Sequence, residues 1–193
     1  MTEATPSVNS DERVIPGREC GSCSLCCKVY NIPEINKPAG RWCTHCKPGR
    51  GCAIHDALPT QCIEFNCMWR TEATIGPHWK PDQAKMVVTL SPVSGFINVE
   101  VDAGAPQAWR KQPYLGQMQQ WARNNLPKGI YVIVFVNGQA TLIMPDQEVP
   151  LGPMLPTDGL AVRRNGNAYE ARLIPGGVAA GLPPAAPGQS GAA

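Results

Sequence analysis

Nine cysteines carry the clearest chemistry in this sequence, and all of them fall between Cys20 and Cys67. Thiolates are preferred ligands of structural zinc and of the iron in iron–sulfur clusters. The spacing therefore predicts a metal or cluster site in the N-terminal third of the chain. The cysteines occur as Cys20-x2-Cys23-x2-Cys26-Cys27, Cys43-x2-Cys46, Cys52 and Cys62-x4-Cys67.

The opening run has a special geometry. Two x2 steps in series let the thiolates of Cys20, Cys23 and Cys26 turn toward one centre, as in ferredoxins. Cys27 follows Cys26 directly, and on a helix neighbouring side chains point about 100° apart. We therefore expect Cys27 to serve a second metal, an adjacent iron of a cluster, or packing.

The number of sites stays open at this point. Nine sulfurs supply two four-ligand sites with one left over, or a single site with spare thiols. Another pairing joins Cys20-x2-Cys23 to Cys43-x2-Cys46 across 19 residues, which fits a four-cysteine zinc ribbon but leaves the other five cysteines unexplained. Thiolate ligation alone does not separate zinc from iron–sulfur.

Disulfides are the competing interpretation of the cysteines. The N-terminal residues are polar and contain no apolar signal segment, so we expect a cytoplasmic, reducing location with no membrane anchor. In such a compartment clustered cysteines are typical of metal sites. The odd count and the vicinal Cys26-Cys27 pair favour the same conclusion, and a redox switch with labile disulfides remains the alternative.

Other side chains add little chemistry. His45 and His55 could ligate zinc or a Rieske-like iron, but with so many cysteines they are better interpreted as surface or supporting residues. Glu64 and Asp56 could accept hydrogen bonds around the site but are better interpreted as solvated surface charges. We expect Trp69, two residues after Cys67, to lie near it.

The composition also limits the class of partner. The net charge is only +2, whereas a nucleic-acid binder typically concentrates many basic residues on one face. We therefore expect the protein to bind a metal ion and not nucleic acid. A protein partner remains possible. No phosphate-binding loop and no hydrolase or metalloprotease motif is present, so no reaction is assigned.

The cysteine motifs resemble a known family. ECGSCSLCC at residues 19–27, GRWCTHC at 40–46, GRGCAIHDALPTQC at 49–62 and FNC at 65–67 are similar to the CxxCxxCC (YkgJ-like) family, described as zinc- or iron-chelating proteins. The resemblance implies metal binding. Matched position by position, it implies the ligands Cys20, Cys23, Cys26, Cys27, Cys43, Cys52, Cys62 and Cys67.

Two positions depart from that family pattern, and one cysteine is additional to it. Cys46 is an addition found in only part of the family, which makes it the candidate spare thiol. His55 stands where Tyr is usual, and Leu58 replaces the Arg of an Arg-Pro pair. Some relatives carry this cluster in a flagellin lysine methylase, so the resemblance also implies an alternative function as an iron–sulfur redox enzyme or electron carrier.

The remaining sequence predicts the elements that position this site. We expect a disordered N-terminus at 1–17, a Cys-rich metal module at 18–70, an α+β region at 80–175 and a flexible tail at 176–193. Gly and Pro scattered through the module favour an irregular fold that needs metal for stability. The predicted fold class is α+β, with this module followed by a small antiparallel sheet and one packed helix.

The second region carries ordinary local signals. Strands are predicted at 84–90, 96–101, 131–136 and 139–144, and a helix at 114–126. Asn137-Gly138 predicts a hairpin because both turn positions tolerate positive φ. Asn165-Gly166 predicts a second hairpin between 160–164 and 168–174.

Overall fold

The computed structural model describes residues 13–54 and 57–177. The class is α+β, as predicted. The chain divides into two compact units between Val87 and Val88. Most of the predicted disordered N-terminus (residues 1–12) and most of the predicted tail (178–193) lie outside the described residues.

The first unit is made of short elements. Gly49 and Gly51 take φ of 75° and 96° around the turn between its two strands, a conformation that costs other residues energy. No described helix in this unit exceeds five residues. The elements are α1 (Cys26–Val29), β1 (Cys46–Lys47), β2 (Gly51–Cys52), α2 (Thr60–Glu64), α3 (Met68–Thr71) and α4 (Pro81–Ala84).

Side chains hydrogen-bonded to distant backbone hold this unit together. The Glu34 carboxylate accepts the N–H groups of Thr60 (3.1 Å) and Gln61 (3.3 Å) and so caps α2. The rings of Tyr30 and Phe65 also pack together, with centroids 5.0 Å apart. These bonds replace part of the apolar packing that a larger core would provide.

The second unit is organised around a five-stranded sheet in the order β3-β4-β5-β6-β7. Strands β8 and β9 form a separate antiparallel hairpin, which adds Leu160 and Val162 to the core against the sheet. The strands are β3 (Met86–Leu90), β4 (Ile97–Val101), β5 (Val132–Val136), β6 (Gln139–Ile143), β7 (Glu148–Pro153), β8 (Gly159–Asn165) and β9 (Ala168–Ile174).

The sheet is mixed, so the prediction of an antiparallel sheet was wrong in this detail. Strands β4 and β5 run parallel, with Val99 opposite Val134. The chain between them forms α5 (Tyr114–Asn125), and a crossover of this length returns a strand in the same direction. Met118 and Ala122 of α5 are buried, and the helix contacts β5 and β6. The single packed helix is therefore confirmed.

Both predicted hairpins are present, and the turn of the second lies one residue later than predicted. Asn137 and Gly138 have φ of 50° and 76°, so this turn is confirmed. In the second hairpin Asn165 pairs with Ala168, which leaves Gly166-Asn167 as the loop. The predicted turn was one residue too early, because Gly166 (φ 60°) occupies the first loop position rather than the second.

Glu100 lies on β4 beside Phe135 of β5, partly buried on an apolar face. Burial raises the pKa of its carboxyl to about 7 from 4.5. Between these values the folded protein binds more protons than the unfolded chain, so the free energy of unfolding falls as pH rises through this window.

We expect Glu100→Gln to remove this pH dependence and to stabilise the protein by roughly 2–3 kcal/mol at pH 8. Urea unfolding at pH 5 and pH 8 measures the effect. The exposed Asp146→Asn serves as control. Equal pH dependence in Glu100→Gln and wild type would contradict the prediction.

Candidate metal centre

All nine cysteines line one cavity in the first unit, with a volume of about 590 Å³. Most of the remaining wall is apolar and includes Tyr30, Ile32 and Phe65. Every cysteine is a free thiol. The thiols that meet there are those of Cys20, Cys23, Cys26, Cys27, Cys43, Cys46, Cys52, Cys62 and Cys67.

Backbone hydrogen bonds bring the middle cysteines together. The N–H of Cys43 donates to the carbonyl of Cys27 (3.0 Å), and the N–H of Cys46 donates to that of Cys43 (3.1 Å). Cys46 also lies opposite Cys52 in the β1–β2 pair. Four cysteines from three separate motifs thus become neighbours through main-chain geometry.

The first and last cysteine motifs are joined by a reciprocal arginine contact. Arg18 donates from Nη1 to the carbonyl of Trp69 (2.6 Å), and Arg70 donates from Nε to the carbonyl of Arg18 (3.3 Å). The N–H of Ile15 adds a bond to the carbonyl of Arg70 (2.9 Å). The segment before Cys20 is therefore held against the segment after Cys67.

The crowded, buried thiols resist ionisation. Burial is the largest cause that raises the pKa of Cys46 to about 11, followed by the neighbouring charge of Cys27. Burial also raises the pKa of Cys67 to about 11. The pKa of Cys27 is raised chiefly by its hydrogen bond with Cys26, then by burial. These thiols stay protonated at neutral pH unless a cation replaces the proton.

Backbone N–H groups oppose this trend at two sulfurs. Leu25 and Asp82 donate to Cys23, and Arg70 and Trp69 donate to Cys67, which lowers each pKa against the larger effect of burial. An N–H aimed at sulfur favours the thiolate form. The fold therefore already provides donors for negative sulfur at these two positions.

Lys37 is a buried cation whose electrostatic neighbours include the thiols of Cys26, Cys27, Cys43 and Cys62. It is 6% exposed, and its Nζ donates to the carbonyls of Lys28 (2.9 Å) and Tyr30. Burial lowers the pKa of Lys37, while the charges of Cys27, Cys43, Cys26 and Cys62 raise it.

The backbone holds Lys37 in place. Reciprocal backbone bonds with Ile32 (2.8 and 3.0 Å) close a tight turn, in which Asn36 takes a φ of 51°. Sequence reasoning missed Lys37, since nothing in its local sequence signals a buried cation.

The other predicted residues have varied placements. Cys46 lines the same cavity as the eight predicted ligands, and its predicted role as a spare thiol stays a prediction. His45 does not line the cavity, and Glu64 is exposed. Leu58 does line it, so the wall is apolar where the family pattern has Arg. His55 and Asp56 lie outside the described residues.

Trp69 lies beside Cys67 and is 8% exposed. The guanidinium of Arg18 and the ammonium of Lys80 both lie over its ring, at 5.8 and 5.5 Å from the centroid. These cation–π contacts stabilise the buried indole next to the cavity.

The thiol groups line one cavity, but they are not arranged around a single metal position. Among residues 13–54 and 57–177, no three side chains of His, Cys, Asp or Glu are arranged tightly enough to hold a metal ion. The thiols share a cavity, and ligation of one ion requires side-chain movement.

Comparison with known proteins gave no match: no family model, curated protein or solved structure is similar to the chain. The resemblance to the CxxCxxCC family therefore stays a prediction from the cysteine motifs. Within the described part of the chain, no helix has the length and apolar character needed to cross a bilayer.

The raised pKa values predict slow alkylation of the metal-free, reduced protein. At pH 8 a thiol of pKa about 11 has roughly 100-fold less thiolate than one at the ordinary 9.0. We expect the pH midpoints for iodoacetamide labelling of Cys46 and Cys67 to lie near 11, measured by mass spectrometry. The urea-unfolded chain is the control, and folded midpoints near 9 would contradict the prediction.

Proposed function

We propose that this chain is a metal-binding protein that holds zinc or iron through its cysteine cluster, in a reducing compartment. The observation that carries the proposal is the convergence of all nine thiols on one cavity. No reaction is part of the proposal.

The donor set suits such metals. Sulfur ligands select zinc and iron–sulfur clusters over magnesium or calcium, which prefer oxygen. Two features would stabilise metal-bound thiolates. The first is the positive charge of Lys37, and the second is the set of backbone N–H groups that donate to the sulfurs of Cys23 and Cys67. Metal binding releases the thiol protons, which offsets the unfavourable ionisation of buried sulfur.

Folding energetics support the same proposal. The first unit has short helices and a buried apolar set that includes Leu25, Ile32, Ile75 and Trp79. Small modules with limited cores commonly depend on a metal for stability. Metal bound only by the folded form would add directly to the free energy of unfolding.

A second candidate function is an iron–sulfur redox enzyme or electron carrier. The observation that favours it is the size of the cavity, about 590 Å³. The space and the surplus of sulfur exceed what one mononuclear ion needs. A polynuclear cluster would use both.

Metal and acid-labile sulfide analysis of protein purified without oxygen tests the proposal. We expect zinc or iron to co-purify. Zinc at about one or two equivalents without sulfide would support chelation or a structural role. Iron with matching sulfide and absorbance near ~400 nm would support the redox candidate. Absence of any bound metal, also after reconstitution with each, would refute metal binding and return the cysteines to redox switching.

Lys37→Met is expected to weaken zinc binding by about tenfold, because it removes the buried charge facing the thiols. Lys37→Arg should restore most of the affinity. Competition with a chromophoric chelator measures the constant, and Lys47→Met, an exposed lysine in the same unit, is the control. Equal affinity in Lys37→Met and Lys47→Met would show that the charge of Lys37 does not act on the metal.

A further inference from the structure

The thiols around the cavity fall into two groups of electrostatic neighbours. The thiol charges acting on Cys67 come from Cys20 and Cys23, and Cys20 also acts on Cys23. Around Lys37, by contrast, the acting charges come from Cys26, Cys27, Cys43 and Cys62. Cys46 and Cys52 belong with this second group, since Cys46 bonds Cys27 and pairs with Cys52.

Main-chain contacts support the smaller group independently. The N–H of Cys23 donates to the carbonyl of Cys20 (2.8 Å), which closes the C-x2-C turn. The reciprocal Arg18–Arg70 contact then holds this turn against the segment that carries Cys67. These contacts hold the segments that carry Cys20, Cys23 and Cys67 next to one another.

Asp82 is the acidic residue in contact with this group. It lies in α4, and its backbone N–H donates to the sulfur of Cys23. Its Oδ1 atom is fully buried and has no hydrogen-bond partner. A buried carboxylate oxygen without a partner is costly, and a missing ion is one explanation for such an atom.

The described cations nearby are engaged elsewhere. Arg70 donates to Asn66 (2.6 Å) and to the carbonyl of Arg18. Arg18 donates to main-chain carbonyls, and the Nζ of Lys85 reaches the backbone carbonyl of Asp82 rather than Oδ1. A bound cation would satisfy Oδ1 and also the three thiols once they are deprotonated.

We propose that Cys20, Cys23, Cys67 and Asp82 form a metal centre of their own, separate from the thiols grouped around Lys37. This inference rests on the proposed function. Three sulfurs and one carboxylate oxygen complete the four-coordinate set typical of zinc. The six remaining cysteines supply a second centre with spare thiols.

Zinc titration of the full-length, reduced apo protein tests the partition. We expect about two equivalents in wild type, as two four-coordinate centres require, and about one in Cys67→Ser and in Cys43→Ser. Cys67 is buried, so its substitution could unfold the unit. Cys20→Ser, at an exposed position, provides a second variant with little packing cost and should also lose one equivalent.

Asp82→Asn tests the carboxylate ligand. We expect the affinity for one zinc to fall by about tenfold or more, while the other zinc is bound as in wild type. Glu72→Gln, an exposed acid in the same unit, is the matched control. Circular dichroism of the zinc-loaded variants checks that both remain folded.

The outcomes separate this inference from the proposed function. A single zinc, lost in both Cys67→Ser and Cys43→Ser, would overturn the two-centre inference and leave metal binding intact. Identical titrations of Asp82→Asn and Glu72→Gln would overturn Asp82 as a ligand. No zinc bound to wild type, with no other metal retained, would refute metal binding itself.

Discussion

The cost of ionising buried thiols is the constraint on which the first unit depends. Nine sulfurs share one cavity with largely apolar walls, and burial together with neighbouring charge disfavours ionisation of several of them. The fold counters this with positive charge and dipoles placed beside the sulfur. Lys37 provides the charge for one group of thiols, and backbone N–H groups provide the dipoles at Cys23 and Cys67. A metal ion would complete this compensation.

The two units reach stability by different physical means. In the first, Glu34, Arg18 and Arg70 tie distant short segments together through bonds to backbone atoms. The second unit is stabilised by hydrogen bonds between paired strands and by an apolar cluster that includes Ile133, Leu142 and Leu160. The contrast follows from composition. All nine cysteines lie in the first unit, whereas β-branched and aliphatic residues fill the strands of the second.

Local signals were the reliable part of the fold prediction. The helix at Tyr114–Asn125 and the Asn137-Gly138 turn follow from periodicity and φ preference within a few residues. The parallel pairing of β4 with β5 was missed, since strand patterns do not encode the direction of the neighbouring strand. Strand β7 was missed as well: Gly152 and two prolines interrupt its pattern, although it pairs along β6 through a bulge.

The sequence by itself determined the donor inventory: how many thiols there are, that they cluster in one third of the chain, and that their spacing is typical of metal sites. It also determined the α+β class through local patterns. Only the tertiary structure decided that all nine thiols meet in one cavity, and that Lys37 and Asp82 lie beside them. The physical reason is distance along the chain. Asp82 is 59 residues from Cys23, and no local preference encodes a contact that forms only when separate segments pack together.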